Sequence, residues 1–410
     1  MNVPRTEREK IFTKVCRLVR EKHFNPGLNG VNWERLAAEK SEEILNATDS
    51  EQFENLIQKL LGELRTSHTG FFHKNKRQMP ARHAINATLR NCSVGGQLKW
   101  VFQDVHEGGS AHAAGIHPGD VLLALDDVEI APPAVPLFHL GGTATLIVQR
   151  PNAIADRIRV DVPNPKNSKH PVNVPRALSH LNLPDRIGYL KVAMFPGAVG
   201  IDLAKGISAA ITKLSSPDRL IVDLRGNTGG GIGGLRLMSY LTPNRCPIGY
   251  SLTRKRAESG YRKEELKRFE KIPSTKAILP WLILKYGIGD KSICLYTEAL
   301  GPQKFHGRIV LLVNEHSASA AEMLAAFAIE NKLAKIVGTK TAGRLLSGSA
   351  FHVGGGYVLG LPTAEYVTWN GHSLEGRGIS PDLQIDATYE SLSGGEDVQL
   401  CKAIELVKHM

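Results

Sequence analysis

The first part of the chain changes from the apolar spacing of helices to that of strands. Between residues 7 and 64, apolar side chains recur at helical spacing, as at Ile11 and Val15, and this pattern predicts a small helical unit. Between about residues 84 and 162, short apolar runs are separated by glycine turns, which predicts a β-rich segment. The polar, proline-containing stretch 163–168 follows and predicts a linker.

Beyond about residue 170, apolar strands alternate with helical segments, which is typical of a layered α/β domain. Strands are expected at 187–192, 220–224 and 309–313, and helices at 201–214 and 235–241. The segment 243–306 does not fit this alternation and is interpreted as a long insertion. The predicted domains are a helical unit at 1–80, a β-rich domain at 84–165, an α/β core at 170–390 with that insertion, and a C-terminal helix at 391–410.

Composition limits the class of protein. A chain of 410 residues predicts two or three domains, and 42% apolar with 22% charged residues is ordinary for a soluble globular protein. No apolar run is long enough for a transmembrane span, and the charged N-terminus lacks the pattern of a signal peptide. We expect a cytoplasmic protein as written, or a secreted or periplasmic one if the N-terminus has been trimmed.

The distribution of basic residues, cysteines and histidines argues against nucleic-acid binding, a disulfide framework and a metal site. Between Arg254 and Lys276 there are nine basic residues and four glutamates. No nucleic-acid motif accompanies them, so a solvated helical face is expected. The five cysteines are scattered without a C-x-x-C pair, which argues against a disulfide framework and a zinc site. His106, His112 and His117 are interpreted as exposed loop residues rather than metal ligands. We therefore expect no cofactor and no metal.

The segment around Ser319 carries the first candidate chemistry. The apolar run 309–313 is followed by Ser-Ala-Ser-Ala-Ala-Glu at 317–322 and then by an apolar stretch, which predicts a strand, a tight turn and a helix. Such a turn can expose a serine hydroxyl beside a backbone N–H. The strict G-x-S-x-G motif is absent, and the segment by itself also suits helix capping.

A glycine-rich loop follows the expected strand 220–224. Gly229, Gly231 and Gly234 satisfy G-x-G-x-x-G, so a dinucleotide site is an alternative. Against it, the charged residues Asp223 and Arg225 precede the glycines, and no acidic residue ends a second strand about 20 residues later.

Three motifs together resemble the C-terminal processing (tail-specific) proteases and the related tricorn protease. Asp-Leu-Arg-Gly-Asn-Thr-Gly-Gly at 223–230 resembles a family signature, and 313–323 resembles the nucleophile segment. Residues 101–125, with Ser-Ala-His-Ala-Ala-Gly and Pro-Gly-Asp, resemble the PDZ domains of bacterial processing proteases. The resemblance implies a crotonase/Clp-like layered α/β peptidase core with an N-terminal helical unit and an inserted PDZ-like domain that binds a peptide C-terminus.

The resemblance also implies roles for individual residues. Ser319 corresponds to the nucleophile, and Ser317 is a nearby serine without that role. The amides of Gly229 or Gly230 and of Ala320 correspond to the oxyanion hole, where a bare backbone N–H can face the developing negative charge.

The base departs from the commonest pattern of the family, which is a Ser-Lys dyad. Arg344 occupies the lysine position in the stretch 338–344, and arginine keeps its proton, while Lys340 is offset by four residues. Residues 64–70 contain Ser67 and His68 and resemble the Ser-His pair of the tricorn branch, which uses a Ser-His-Ser-Glu tetrad.

By that resemblance His68 is the base, Ser67 orients it and Glu375 supplies the acid, although Glu375 could instead pair with Arg344 or Arg377. The predicted function is a serine endopeptidase that cleaves polypeptides near their C-termini. The alternative is a catalytically inactive member that binds peptides or apolar ligands. The expected partners are polypeptide or peptide substrates, with no nucleic acid and no membrane span, and homo-oligomerisation is left open.

Overall fold

The computed structural model describes residues 3–75, 78–151, 153–164, 173–214 and 216–410, and the chain divides into two units. Unit one comprises Met1–Lys76, Cys246–Thr297 and Gly343–Gly378, and unit two comprises Arg77–Arg245, Glu298–Ala342 and Ile379–Met410. Residues 165–168 of the predicted linker lie outside the described residues.

The helices are α1 (Arg5–Lys22), α2 (Trp33–Leu45), α3 (Ser50–Gly62), α4 (Ala81–Ala84), α5 (Ser110–Ala113), α6 (Ile201–Lys213), α7 (Gly234–Leu241), α8 (Arg254–Ser259), α9 (Leu279–Gly287), α10 (Ala320–Glu330), α11 (Tyr389–Ser393) and α12 (Val398–Lys408). The first strands are β1 (Gly70–His73), β2 (Gln78–Pro80), β3 (Ala87–Val94), β4 (Gln97–Val105), β5 (Val121–Leu125), β6 (Val128–Glu129), β7 (Leu137–His139), β8 (Gly142–Gln149), β9 (Asp156–Val162) and β10 (Leu178–Leu183). The remaining strands are β11 (Ile187–Val192), β12 (Arg219–Asp223), β13 (Pro247–Thr253), β14 (Lys267–Phe269), β15 (Ile293–Tyr296), β16 (Ile309–Val313), β17 (Lys335–Gly338), β18 (Leu346–Gly354), β19 (Tyr357–Thr368) and β20 (Leu383–Gln384). Among the described helices, none combines the length and the apolar character needed to cross a membrane.

Unit one packs the N-terminal helices on a mixed sheet. The side chain of Asn32 accepts from the Arg35 amide at 3.1 Å and caps α2, and Asp49 caps α3 in the same way. Apolar side chains of α1 to α3 form one buried core with residues of β1 and β19, including the stacked rings of Phe71 and Tyr357, whose centroids are 4.8 Å apart. The predicted helical N-terminal segment is therefore confirmed, and its apolar face lies on the sheet.

The sheet of unit one has the order β1-β19-β13-β15-β14, and β18 also pairs with β19. The segment predicted as an insertion supplies three of these strands, β13, β14 and β15. The prediction of one basic helical face at 254–276 is wrong. Helix α8 ends at Ser259 because Gly260 has a φ of +76°, and Lys267–Phe269 pairs with β15 as a strand.

Unit two contains a largely parallel sheet in the order β10-β11-β12-β16-β17-β20, in which only the pairing of β10 with β11 is antiparallel among the described strands. All five residues of β16 are buried. Val310 and Leu312 share an apolar cluster with Ala403 and Val407 of α12, so α12 covers one face. The strands and helices expected in this region are confirmed, apart from shifts of a residue or two at their ends.

A second sheet of unit two, β3-β4-β5-β8-β9, has antiparallel pairing throughout its described strands. Within unit two it is joined to the parallel sheet by polar contacts. Asp104 of β4 accepts from Asn314 Nδ2 at 2.9 Å and from Thr88 Oγ1 at 2.6 Å. His106 Nε2 lies 3.3 Å from the carbonyl oxygen of Gly226.

The prediction that His106 is exposed is wrong, because only 4% of its surface reaches solvent. Its ring packs against Gly226. A Cβ added at Gly226 would lie 2.8 Å from the ring of His106. His112 and His117 are exposed as expected.

Candidate active site

Ser319 lies at the junction between a buried strand and a helix. Strand β16 ends at Val313, and α10 begins at Ala320. Ser319 has φ and ψ of 55° and −118°, a conformation that non-glycine residues rarely adopt and that is enriched at functional sites. The turn predicted from the sequence is therefore present, and its backbone is strained at the serine itself.

The buried carboxylate of Glu322 holds this turn in place. Its Oε2 accepts from the Ser319 amide at 3.0 Å, and its Oε1 accepts from the Thr341 hydroxyl at 2.6 Å. Glu322 is completely buried, so these contacts satisfy a carboxylate that would be costly to leave unpaired. This role was not predicted from the sequence, although a glutamate three residues after a helix N-cap serine is a recognisable signal.

Ser317 and Ser319 have different surroundings. Ser317 is completely buried, and its hydroxyl donates to the Leu224 carbonyl at 2.8 Å and accepts from the Asn314 amide at 2.9 Å. Ser319 is partly exposed. The hydroxyl of Ser317 is therefore committed to the fold, whereas Ser319 is partly accessible to solvent.

The glycine-rich loop after β12 is fastened to the Ser319 turn by Asn227. The buried Asn227 side chain donates to the Val192 carbonyl at 2.7 Å and accepts from the Gly229 amide at 2.8 Å, while its own carbonyl accepts from the Ala318 amide at 2.9 Å. Gly229 has a φ of +88°, and a Cβ there would lie 2.5 Å from Ser319 Cβ. Only glycine fits such a close approach.

The amides of this loop differ in whether they are free to bind a ligand. The Gly229 amide is engaged by Asn227, and the Gly231 amide donates to the Phe195 carbonyl at 2.8 Å. Within the described part of the chain, the amides of Gly230 and Ala320 have no hydrogen-bond acceptor. Of the two predicted glycine donors, Gly230 therefore has the available N–H.

Unit one brings Ser67, His68 and Glu375 together, although Ser67 and Glu375 are 308 residues apart in sequence. The Ser67 hydroxyl lies 2.9 Å from Glu375 Oε2 and 2.8 Å from His68 Nδ1. The same carboxylate also accepts from the Ser67 amide at 2.6 Å and from the Leu345 amide at 2.9 Å. The carboxylate, in the loop that follows β19, is thus held by three donors in the loops that follow α3 and precede β18.

These contacts decide which nitrogen of His68 carries the proton. An ionised carboxylate can only accept hydrogen bonds, so the Ser67 hydroxyl donates its proton to Glu375. The Ser67 oxygen must then accept from Nδ1–H of His68. In the neutral imidazole the lone pair is therefore on Nε2, which is free to take a proton.

The pKa of His68 is lowered from its ordinary value of about 6.5. The main cause is that surrounding protein atoms displace part of the water around the ring, although His68 as a residue is still exposed. The charge of Glu375 opposes this shift, and the charge of Arg344 adds to it. The imidazole is therefore neutral at neutral pH, which is the form that a general base requires.

Two family models match this chain. Peptidase family S41 matches residues 186–385, and the tricorn protease C1 domain matches residues 4–62. The chain is 24% identical to a carboxyl-terminal-processing protease of Synechocystis sp., with 98% of this chain and 87% of that protein covered. It is also 24% identical to a tricorn protease homolog of Streptomyces coelicolor, over 98% of this chain. The chain spans 32% of the length of that homolog and 64% of the length of a carboxyl-terminal-processing protease of Picosynechococcus sp..

Solved structures share the fold. The photosystem II D1 C-terminal processing protease superposes with a TM-score of 0.56 at 18% identity, covering 92% of each chain. Mature CPAF complexed with lactacystin gives 0.57 at 14% identity, covering 99% of this chain and 98% of that one. The fold is thus a mixed α/β fold of the kind found in S41 proteases. Residues 186–385 are thus similar to peptidase family S41, and the N-terminal helices are similar to the tricorn protease C1 domain.

Proposed function

We propose that this chain is a serine endopeptidase of the S41 type that cleaves polypeptides near their C-termini, with Ser319 as nucleophile and His68 as base. The observation that carries the proposal is the hydrogen-bonded series from Glu375 through Ser67 to His68 Nδ1, because it leaves Nε2 as a proton acceptor. Arg344 supports it, since a guanidinium cannot serve as a base in the position where most of the family has lysine.

In the proposed reaction, His68 Nε2 takes the proton of Ser319 while the serine oxygen bonds to the substrate carbonyl carbon. The resulting oxyanion accepts from the amides of Gly230 and Ala320. The imidazolium then gives its proton to the leaving amine, and the C–N bond breaks to leave an acyl ester. His68 next removes a proton from water, whose oxygen attacks the ester, and the proton returns to Ser319 as the product acid leaves. Ser67 and Glu375 orient the ring and stabilise its positive charge.

We also infer a crotonase/Clp-like arrangement for the core and a PDZ-like role for the sheet β3-β4-β5-β8-β9. The parallel strands of unit two with helices packed on them support the first inference. The antiparallel sheet with its short helix α5 supports the second. A PDZ-like sheet recognises a peptide by accepting it as an added strand, with backbone amides binding its terminal carboxylate.

Substitution at the two serines tests the nucleophile. A fluorophosphonate probe should label the native protein, and Ser319→Ala should abolish both labelling and peptide hydrolysis without loss of folding, because it removes a partly exposed hydroxyl. The matched variant Ser317→Ala should keep labelling but lower the free energy of unfolding by about 1–3 kcal/mol, since two buried partners lose a hydrogen bond. Labelling is read on a gel and stability by thermal unfolding.

The base is tested in the same assay. His68→Ala should come close to the defect of Ser319→Ala, and Ser67→Ala or Glu375→Gln should be milder because those groups do not carry the proton. Full activity in His68→Ala, or loss confined to Lys340→Ala, would contradict the tetrad. Absence of labelling in the native protein would instead favour an inactive member that binds peptides or apolar ligands.

A further inference from the structure

Helix α9 of unit one has an exposed apolar surface that the peptidase mechanism does not use. None of its residues is buried. Trp281 is 52% exposed, Leu284 59% and, just past the helix end, Ile288 63%. Trp281 and Leu284 are three residues apart and so lie on one side of the helix. Ile278 and Ile283 add further exposed apolar area.

Tyr286 and the carbonyls near the C-terminal end of α9 are bonded to β14 in the sheet of unit one. The Tyr286 hydroxyl donates to the Arg268 carbonyl at 2.7 Å, and its ring packs against Phe269 with centroids 5.6 Å apart. Lys267 Nζ donates to the carbonyls of Lys285 at 3.2 Å and Ile288 at 2.8 Å. Because β14 holds the helix in this way, its apolar side is presented to solvent in a fixed orientation rather than by a loose loop.

The segment that contains this surface is rich in basic residues. From Lys263 to Lys291 the sequence has seven lysine or arginine residues and four acidic ones, a net charge of +3. Lys271 and Lys276, which precede α9 in sequence, and Lys285 within it have exposed side chains, and we call these three lysines the basic border. Lys285 Nζ lies 5.0 Å from the centre of the Trp281 ring. Tryptophan and lysine beside aliphatic residues form the composition that partitions into the headgroup region of a bilayer.

We propose that α9 and its basic border dock this protein on an anionic membrane surface. In that position Leu284 and Ile288 enter the outer acyl region, Trp281 lies at headgroup depth, and the lysines contact anionic headgroups. A nine-residue helix is about 13 Å long and lies on the surface rather than spanning it. A second copy of the chain is the less suitable occupant, because a symmetric contact would bring the like-charged lysine borders together.

Vesicle binding tests this proposal independently of catalysis. The full chain is mixed with vesicles of phosphatidylcholine alone, or with 30% phosphatidylserine, and bound protein is measured by flotation. We expect binding to the anionic vesicles that weakens with salt, and little binding to the neutral ones. Trp281 emission, taken as the difference between the native protein and Trp281→Phe, should shift to shorter wavelength on binding.

Matched variants distinguish binding through the exposed apolar surface of α9 from nonspecific adsorption to vesicles. Trp281→Ser with Leu284→Ser should reduce binding at least tenfold, whereas Ile154→Ser, which changes a residue that is 90% exposed elsewhere, should leave it unchanged. Lys276→Gln with Lys285→Gln should reduce binding and its salt dependence. Ser319→Ala should bind vesicles like the native protein, so failure of the proposed peptidase activity would not affect this result.

The proposal is overturned if the native chain does not bind the anionic vesicles, or if the Trp281/Leu284 variant binds them as well as the native chain. It is also overturned if sedimentation shows a concentration-dependent dimer that the same variant abolishes, because the apolar surface of α9 would then be a contact between copies.

Discussion

At the scale of single residues, the proposed role of His68 as base predicts how peptide hydrolysis depends on pH. Only the neutral imidazole can accept a proton, so kcat/KM should be full above the pKa of His68 and should fall as pH drops through it. Because partial loss of hydration and the charge of Arg344 lower that pKa while Glu375 opposes them, the midpoint of the fall should lie below about 6.5.

Substitutions shift this midpoint in opposite directions. Arg344→Gln removes a charge that lowers the pKa and should move the midpoint to higher pH, whereas Arg344→Lys keeps the charge and should leave it in place. Glu375→Gln removes a charge that raises the pKa and should move the midpoint to lower pH. The profile is measured at low salt, because Arg344 is exposed and its influence is screened. A midpoint that none of these changes moves would argue against His68 as the titrating group.

At the scale of elements, the turn after β16 and the glycine loop after β12 depend on each other's backbone. Gly229→Ala would combine an unfavourable φ of +88° with a Cβ placed 2.5 Å from Ser319 Cβ. We expect it to displace the Ser319 turn and abolish labelling by the fluorophosphonate probe.

Gly96→Ala is the matched control for that substitution. Gly96 has a similar φ of +80°, but nothing lies within 4 Å of an added Cβ. It should cost only the backbone strain, roughly 1–2 kcal/mol of unfolding free energy, and keep labelling intact. Equal labelling of the two variants would show that the close approach of Gly229 to Ser319 is dispensable.

At the scale of the whole molecule, the antiparallel sheet of unit two is tied to the segment that carries Ser319. Asp104 of β4 bonds to Asn314, which also accepts from the Gly226 amide at 2.9 Å. A peptide bound to this sheet would therefore act on a structure that is continuous with the Ser319 turn.

If this sheet binds a substrate C-terminus, amidation of that terminus should weaken cleavage. We expect kcat/KM for a long polypeptide to fall about tenfold or more when its terminal carboxylate is replaced by an amide, because the backbone amides that hold the carboxylate lose a charged acceptor. Labelling of Ser319 by the small probe should not change. Equal cleavage of free and amidated polypeptides would make the sheet a spacer.

Local patterns in the sequence determined the elements that carry the chemistry. The apolar run before Ser319, the small residues of the turn and the helix after it are contiguous, so their periodicity predicts the structure directly. The helix caps at Asn32 and Asp49 are local in the same sense. The arginine in place of the family lysine is also visible without a structure, since its inability to act as a base is a property of the side chain alone.

Only the tertiary structure decided which distant groups share hydrogen bonds. The basic segment after Arg254 breaks into a short helix and a strand because β15 offers a pairing partner, and His106 is buried because the second sheet packs under Gly226. The free amide of Gly230, the buried hydroxyl of Ser317 and the contact of Glu375 with Ser67 likewise depend on donors and acceptors far away in sequence. Sequence patterns specify local backbone conformation, whereas hydrogen-bond pairing and burial depend on distances that exist only once the chain has folded.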